Sequence, residues 1–246
     1  MTSSKPTTAS DAALAEASEP SLANVVWTSL AGAHASFAQG SADARRYRPE
    51  YAPFAGARDY SANSVAALAH MLLPGERLTL FTNAKPVIPS GYDVVREATV
   101  LQMIGTHQPT SPHDARIVEL GDEDVPDMLK LVERTEPGPF RERTHELGHF
   151  VGIREGGTLV AMAGERMKAG KYVELSAVCT DPDWRGRGLG TLLMNHLSFA
   201  MRARGETPFL HVFSTNTPAL RLYGQLGFRL ARTLHLTALM PTVIAR

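Results

Sequence analysis

The run V-C-T-D-P-D-W-R-G-R-G-L-G, from Val178 to Gly190, decides the reading of this chain. The segment Tyr172 to Thr180 leads into it and is rich in strand-forming residues. A proline turn follows, then glycines, and then apolar residues at Leu189, Leu193, Leu197 and Ala200, spaced as on one face of a helix. The first turn of a helix leaves backbone N–H groups without partners and carries a partial positive charge, so an anion docked there satisfies both. Gly186, Gly188 and Gly190 remove the Cβ atoms that would hold a phosphate off those amides, and Arg185 and Arg187 add charge and fork geometry. The stretch predicts a strand, a phosphate-holding loop and a helix.

Two common phosphate loops do not fit. A P-loop needs Lys followed by Ser or Thr, and neither pair follows these glycines. A dinucleotide fingerprint reads G-x-G-x-x-G after a first strand, whereas this loop reads G-x-G-x-G and falls late in the chain. What fits is R-x-x-G-x-G, with Arg185, Gly188 and Gly190 in its fixed places. This resembles the acetyl-CoA pyrophosphate loop of the GCN5-related N-acetyltransferases, the GNAT superfamily. A second block, N-T-P-A-L-R-L-Y-G-Q-L-G-F from Asn216 to Phe228, follows the strand-like run Phe209 to Ser214. It is similar to that family's other cofactor motif, an Asn before a helix that carries a Tyr and ends in Gly-Phe. Within it Thr217 suits the cap, Pro218 the first helical position and Gly227 the residue past the end.

Upstream, Arg116 to Leu120 predicts a first strand and Asp122 to Val132 a first helix with acidic residues in its opening turn. The resemblance thus covers residues 115–246. Residues 21–106 predict a second α/β unit: helices near Val26 to Gln39 and Asn63 to Leu72, and strands at Arg77 to Phe81, Tyr92 to Arg96 and Val100 to Ile104. Residues 107–114 read as a linker, and residues 1–20, rich in Ser, Thr and Ala, as a disordered tail. A chain arranged this way resembles the FR47-like branch of the superfamily. The resemblance implies an α+β fold with a mixed, twisted sheet. It joins a C-terminal half that binds acetyl-CoA to an N-terminal, degenerate GNAT-like half lacking the cofactor loop.

The resemblance also implies an activity: transfer of an acetyl group from acetyl-CoA to a primary amine of a small molecule, amino acid or peptide, by direct attack. Strands Tyr172 to Thr180 and Phe209 to Ser214 are expected to splay and admit the pantetheine arm. Glu174, on the strand feeding the loop, matches the family's general base, and Tyr223 its general acid for the CoA thiolate. Cofactor contacts are expected from Val178, Cys179, Thr180, Arg185, Gly186, Arg187, Gly188, Leu189, Gly190, Thr191, Asn216, Ala219 and Tyr223. Strand alternation predicts that Glu174 shares a face with Ser176, Val178 and Thr180. A protein that holds acyl-CoA without turning it over is the catalytically silent alternative.

Composition agrees with this class. The chain has 246 residues, 43% of them hydrophobic, enough for a packed core. It carries 25 basic and 25 acidic residues, a balance that gives no footprint for nucleic acid or an anionic membrane. Cys179 is alone, which excludes an intramolecular disulfide. Without a long apolar run or a leader pattern, the expectation is a cytoplasmic protein, monomer or homodimer, with no metal. A rival signal is H-E-L-G-H at His145 to His149, which satisfies the zinc-peptidase pattern H-E-x-x-H. Glu155 stands where the longer form of that motif has a third His, and Pro137, Gly138 and Pro139 precede the motif too closely for a long helix. The residues after it, Phe150 to Ile153 and Thr158 to Ala161, predict a hairpin across Gly156-Gly157.

Overall fold

A computed structural model describes residues 19–107, 109 and 114–242. Residues 1–18 of the expected tail, and 108 and 110–113 of the expected linker, lie outside the described residues. Eleven strands form one mixed sheet: β1 (Ala38–Gly40), β2 (Ala44–Tyr47), β3 (Phe54–Ala57), β4 (Leu78–Thr82), β5 (Tyr92–Gly105), β6 (Ile117–Glu119), β7 (Phe150–Glu155), β8 (Thr158–Ala169), β9 (Tyr172–Thr180), β10 (Thr207–Phe213) and β11 (Phe228–Pro241). Among the described residues six α-helices accompany it: α1 (Pro20–Ala23), α2 (Val25–Ala31), α3 (Ala62–Ala69), α4 (Val125–Thr135), α5 (Leu189–Ala203) and α6 (Thr217–Gln225).

The strand order is β1-β2-β3-β4-β11-β5-β10-β9-β8-β7-β6. The two regions of the sequence interleave within it. Strand β5 lies between β10 and β11, and β11 in turn lies between β4 and β5. The β5–β11 ladder runs antiparallel from Gly105 opposite Phe228 to Tyr92 opposite Pro241. Tyr92 to Arg96 and Val100 to Ile104, expected as two strands, are one unbroken strand because β11 is long enough to pair with all of it.

Each face of the sheet carries its own core. On one face α5 lays Leu189, Leu193, Met194, Leu197 and Met201 against Val151, Ile153, Val173, Leu175 and Leu210. On the other, α4 covers Phe150, Met162, Ala177 and Cys179 with Met128 and Leu131, and α2 covers Met167, Ala169 and Tyr172. The helix expected from Val26 to Gln39 stops at Ala31, where Gly32 follows, and its remainder is a short 3-10 turn and β1. No helix among the described residues is long and apolar enough to cross a membrane.

Candidate active site

Strands β9 and β10 run parallel but pair only through Thr207 with Tyr172, Pro208 with Val173 and Phe209 with Glu174. Beyond that rung β9 keeps its partner β8 and β10 keeps β5, so the two diverge. A cavity of about 860 Å³ occupies the opening and reaches both faces of the sheet.

A β-bulge on β9 sets what the slot presents. Ser176 pairs with Gly164 and Cys179 with Met162, leaving two residues of β9 opposite one of β8. Ala177 takes up the extra length in the left-handed region, at φ 51°. The bulge interrupts the alternation expected from the sequence. Glu174 shares its face with Ala177 and Cys179, while Val178 packs with the α5 core and Gly190 lies beside Val178 and Thr180. Val178 and Thr180 therefore stand on the loop side of the sheet and Glu174 on the other.

The glycine loop forms one mouth of the slot. Gly186 and Gly188 lie at φ 76° and 73°, so glycine is required there by backbone geometry. Gly188 is the N-cap of α5, no side chain among the described residues caps that helix, and its first turn of amides is left for an incoming acceptor. Arg185 donates from Nε to the Thr180 carbonyl at 3.3 Å and lines the cavity. Arg187 instead lies 4.2 Å from the centre of the Trp184 ring, and the Leu189 side chain is buried in the core. Of the residues expected to meet the cofactor, Val178, Cys179, Thr180, Arg185, Gly190, Asn216, Ala219 and Tyr223 line the cavity; Gly186, Arg187, Gly188, Leu189 and Thr191 do not. Asn216, rather than Thr217, caps α6, its side chain accepting from the Ala219 amide at 3.2 Å. An uncapped helix start beside an arginine, next to a strand edge without a partner, fits the diphosphate and extended arm of a coenzyme A.

Tyr223 lies on α6 against Phe228 and lines the same mouth. Burial raises its phenol above the ordinary value, and the hydroxyl makes no hydrogen bond among the described residues. Cys179 is buried, and burial pushes its thiol up to about 11, so it is protonated at neutral pH.

Glu174 is fully buried and does not line the cavity. Arg166, on β8, donates to it from Nε at 2.8 Å and Nη2 at 2.7 Å, and His211 Nδ1 lies 2.7 Å from Oε1. Burial disfavours its charge, but the Arg166 guanidinium and the His211 hydrogen bond outweigh that and hold the carboxyl at about 2. Gln102 Nε2 lies 3.1 Å from His211 Nε2 and donates to the Leu22 carbonyl. These bonds assign His211 as the neutral Nδ1–H tautomer, with Nε2 accepting. Arg166 and His211, rather than Glu174, face the cavity. Neither was legible as a site residue, because their partners sit on other strands.

The H-E-x-x-H segment does not form the helix a zinc site would need. Thr144–Leu147 is a 3-10 turn, and the chain then extends into β7. His145 turns to Asp122 at 2.7 Å, His149 bonds Glu119, and Glu146 is held by Arg143. The three side chains thus have separate partners rather than one focus.

Comparisons with known proteins agree with this geometry. The family described as FR47-like protein matches residues 150–236. A crystal structure of a GNAT-family protein from Novosphingobium aromaticivorans superposes with a TM-score of 0.85 at 40% identity, over 91% of this chain and 99% of that one. The N-alpha-acetyltransferase RimI of Mycobacterium tuberculosis is 39% identical over 99 residues, which are 38% of this chain and 60% of that protein. The [ribosomal protein bS18]-alanine N-acetyltransferase of Salmonella typhimurium is 32% identical over 43% of this chain and 74% of its own length. The matched part of this chain thus spans less than two thirds of the Mycobacterium relative. With a split sheet, an uncapped glycine loop and a relative alike over nearly its whole length, the chain belongs to the GNAT superfamily.

Proposed function

We propose that this protein moves the acetyl group of acetyl-CoA directly to a primary amine of a small molecule, amino acid or peptide. One observation carries the reading: residues of both motifs, Arg185 and Gly190 of one and Asn216, Ala219 and Tyr223 of the other, line a single cavity in the β9–β10 slot that residues of the opposite face of the sheet also line. When bound, acetyl-CoA supplies a thioester carbon activated for attack. The chain supplies the rest. Amides at the start of α5 and Arg185 hold the diphosphate. The open edge of β9 past Glu174 pairs with the pantetheine arm as a neighbouring strand would. Tyr223, neutral and bonded to none of the described residues, gives its proton to the departing thiolate.

Glu174 acts at one remove in this proposal. Drawing a proton from an α-ammonium near pKa 8 onto a carboxylate held at about 2 is uphill by on the order of 8 kcal/mol. Its service is to fix His211 and Arg166 at the point where the strands part. A proton leaving the amine then passes to water in the cavity.

A thiol-release assay with acetyl-CoA against a panel of amines, free amino acids and an alanine-starting peptide tests the activity. The Salmonella relative, by its name an alanine N-acetyltransferase, is the reason for the peptide. Release of CoA with at least one amine is expected. Tight acetyl-CoA binding with no turnover of any amine would instead identify a protein that only holds the thioester.

A further inference from the structure

Away from the glycine loop the cavity is lined by residues of both regions of the chain, and their chemistry is specific. Phe54 of β3 and Phe81 of β4 stack with ring centroids 5.3 Å apart, and Phe213 of β10 completes the apolar wall. Two guanidiniums lie on these rings: Arg166 at 4.5 Å from the Phe54 centroid and Arg96 at 4.5 Å from that of Phe213. Arg166 is only 7% exposed and binds Glu174 side-on through Nε and Nη2. Its Nη1 has no partner among the described residues and is not a sealed-off polar atom, so it opens on the cavity that Arg166 lines. Arg96, exposed at the rim, makes no ion pair among the described residues. Glu133 and Glu136, at the C-terminal end of α4, are also among the residues that line the cavity.

We propose that the acceptor is a free α-amino acid with an apolar or aromatic side chain, its carboxylate read by Arg96 and Arg166 and its side chain seated among Phe54, Phe81 and Phe213. This rests on the acetyl-transfer reading above and names the substrate class of that site. Glu174 already matches the charge of Arg166. The carboxylate's charge is therefore met by Arg96, while Arg166 Nη1 contributes a directed hydrogen bond. Glu133 and Glu136 draw in the ammonium end, so the zwitterion enters amine-first toward the slot. A peptide N-terminus or a lysine side chain has no carboxylate to offer at this distance from the amine. An amine without one leaves Arg96 unmatched over an apolar wall.

The test compares L-phenylalanine and L-leucine with their amides as acceptors. Calorimetry on the CoA-saturated full chain, with N-acetyl-L-phenylalanine and its amide, reads the same preference without turnover. The acids are expected to be favoured by about tenfold or more in kcat/KM and in affinity. Arg96→Gln, at an exposed position that the fold tolerates, is expected to bring the acid-to-amide ratio within about threefold. Equal handling of acid and amide, absence of binding by both acetylated ligands, a ratio that survives Arg96→Gln, or an alanine-starting peptide that outruns every free amino acid would each overturn the proposal. Failure of the acetyl-transfer reading looks different: no CoA is released with any amine, whatever its charge.

Discussion

Arg166 grips Glu174 side-on, Nε to Oε2 at 2.8 Å and Nη2 to Oε1 at 2.7 Å, with the carboxylate fully buried and the guanidinium nearly so. Removing one member of such a pair strands the other charge in the interior. Glu174→Leu is expected to destabilise the fold by about 3–5 kcal/mol, whereas Arg166→Met combined with Glu174→Leu recovers most of that loss. Urea denaturation of the two variants measures the difference. Equal stabilities would show that the pair is not energetically coupled.

Two buried groups give the fold an acid sensitivity with distinct windows. Burial and the nearby Lys168 charge lower His34 to about 4, against some opposing help from Glu174. An unfolded chain takes up this proton as pH falls through 6.5, while the folded one does not until about 4. The stability is thus complete above 6.5, and about 3 kcal/mol is lost on the way down to 4. Glu174 acts lower: its contribution is present above 4.5 and fades as pH falls toward 2. Stability measured against pH should slope between 6.5 and 4 in the wild type and flatten there in His34→Asn. A wild-type curve that is level across that range contradicts the assignment.

The parts of the site that were legible in sequence are those whose chemistry is local. Arg185, Gly188 and Gly190 act through the backbone of one loop, and Asn216 through its own helix start, so their spacing suffices. Arg166 and His211 meet Glu174 from β8 and β10, and no window along the chain places them together. The bulge at Ala177 gave no signal either, since an alanine stands where a glycine would have marked a left-handed residue. That unmarked residue moved Val178 and Thr180 to the face opposite Glu174. In the fold, strand existence followed from β-branched runs, but the exchange that sets β5 beside β10 and β11 beside β4 depends on long-range pairing alone.

Tyr223 separates a chemical role from a packing one. Its ring packs near Phe228, at 6.2 Å between centroids, and its hydroxyl has no hydrogen-bond partner among the described residues to lose. Tyr223→Phe is expected to keep the melting temperature and the KM for acetyl-CoA while lowering kcat about 10²-fold, the scale of one general-acid group. Steady-state kinetics with a fixed amine reads this directly. A variant with unchanged kcat assigns the proton on the thiolate to water.

Glycines of the loop divide by what each is for. Gly188 sits at φ 73° with nothing within 4 Å of where a methyl would stand, so Gly188→Ala meets no clash but strains the backbone by about 1–2 kcal/mol. It is expected to lower both the melting temperature and the affinity for CoA. Gly190 lies inside α5, where a methyl would stand 3.8 Å from Thr180 Oγ1 and from Val178 Cγ1, an ordinary contact. Gly190→Ala should therefore stabilise the helix by about 0.5–1 kcal/mol. The same methyl projects into the mouth where the diphosphate must approach the amides, so CoA affinity should fall even as the melting temperature rises. That opposition of signs is the measurement: calorimetric affinity beside thermal unfolding on one variant. A more stable Gly190→Ala that binds CoA as the wild type does would move the diphosphate away from this loop.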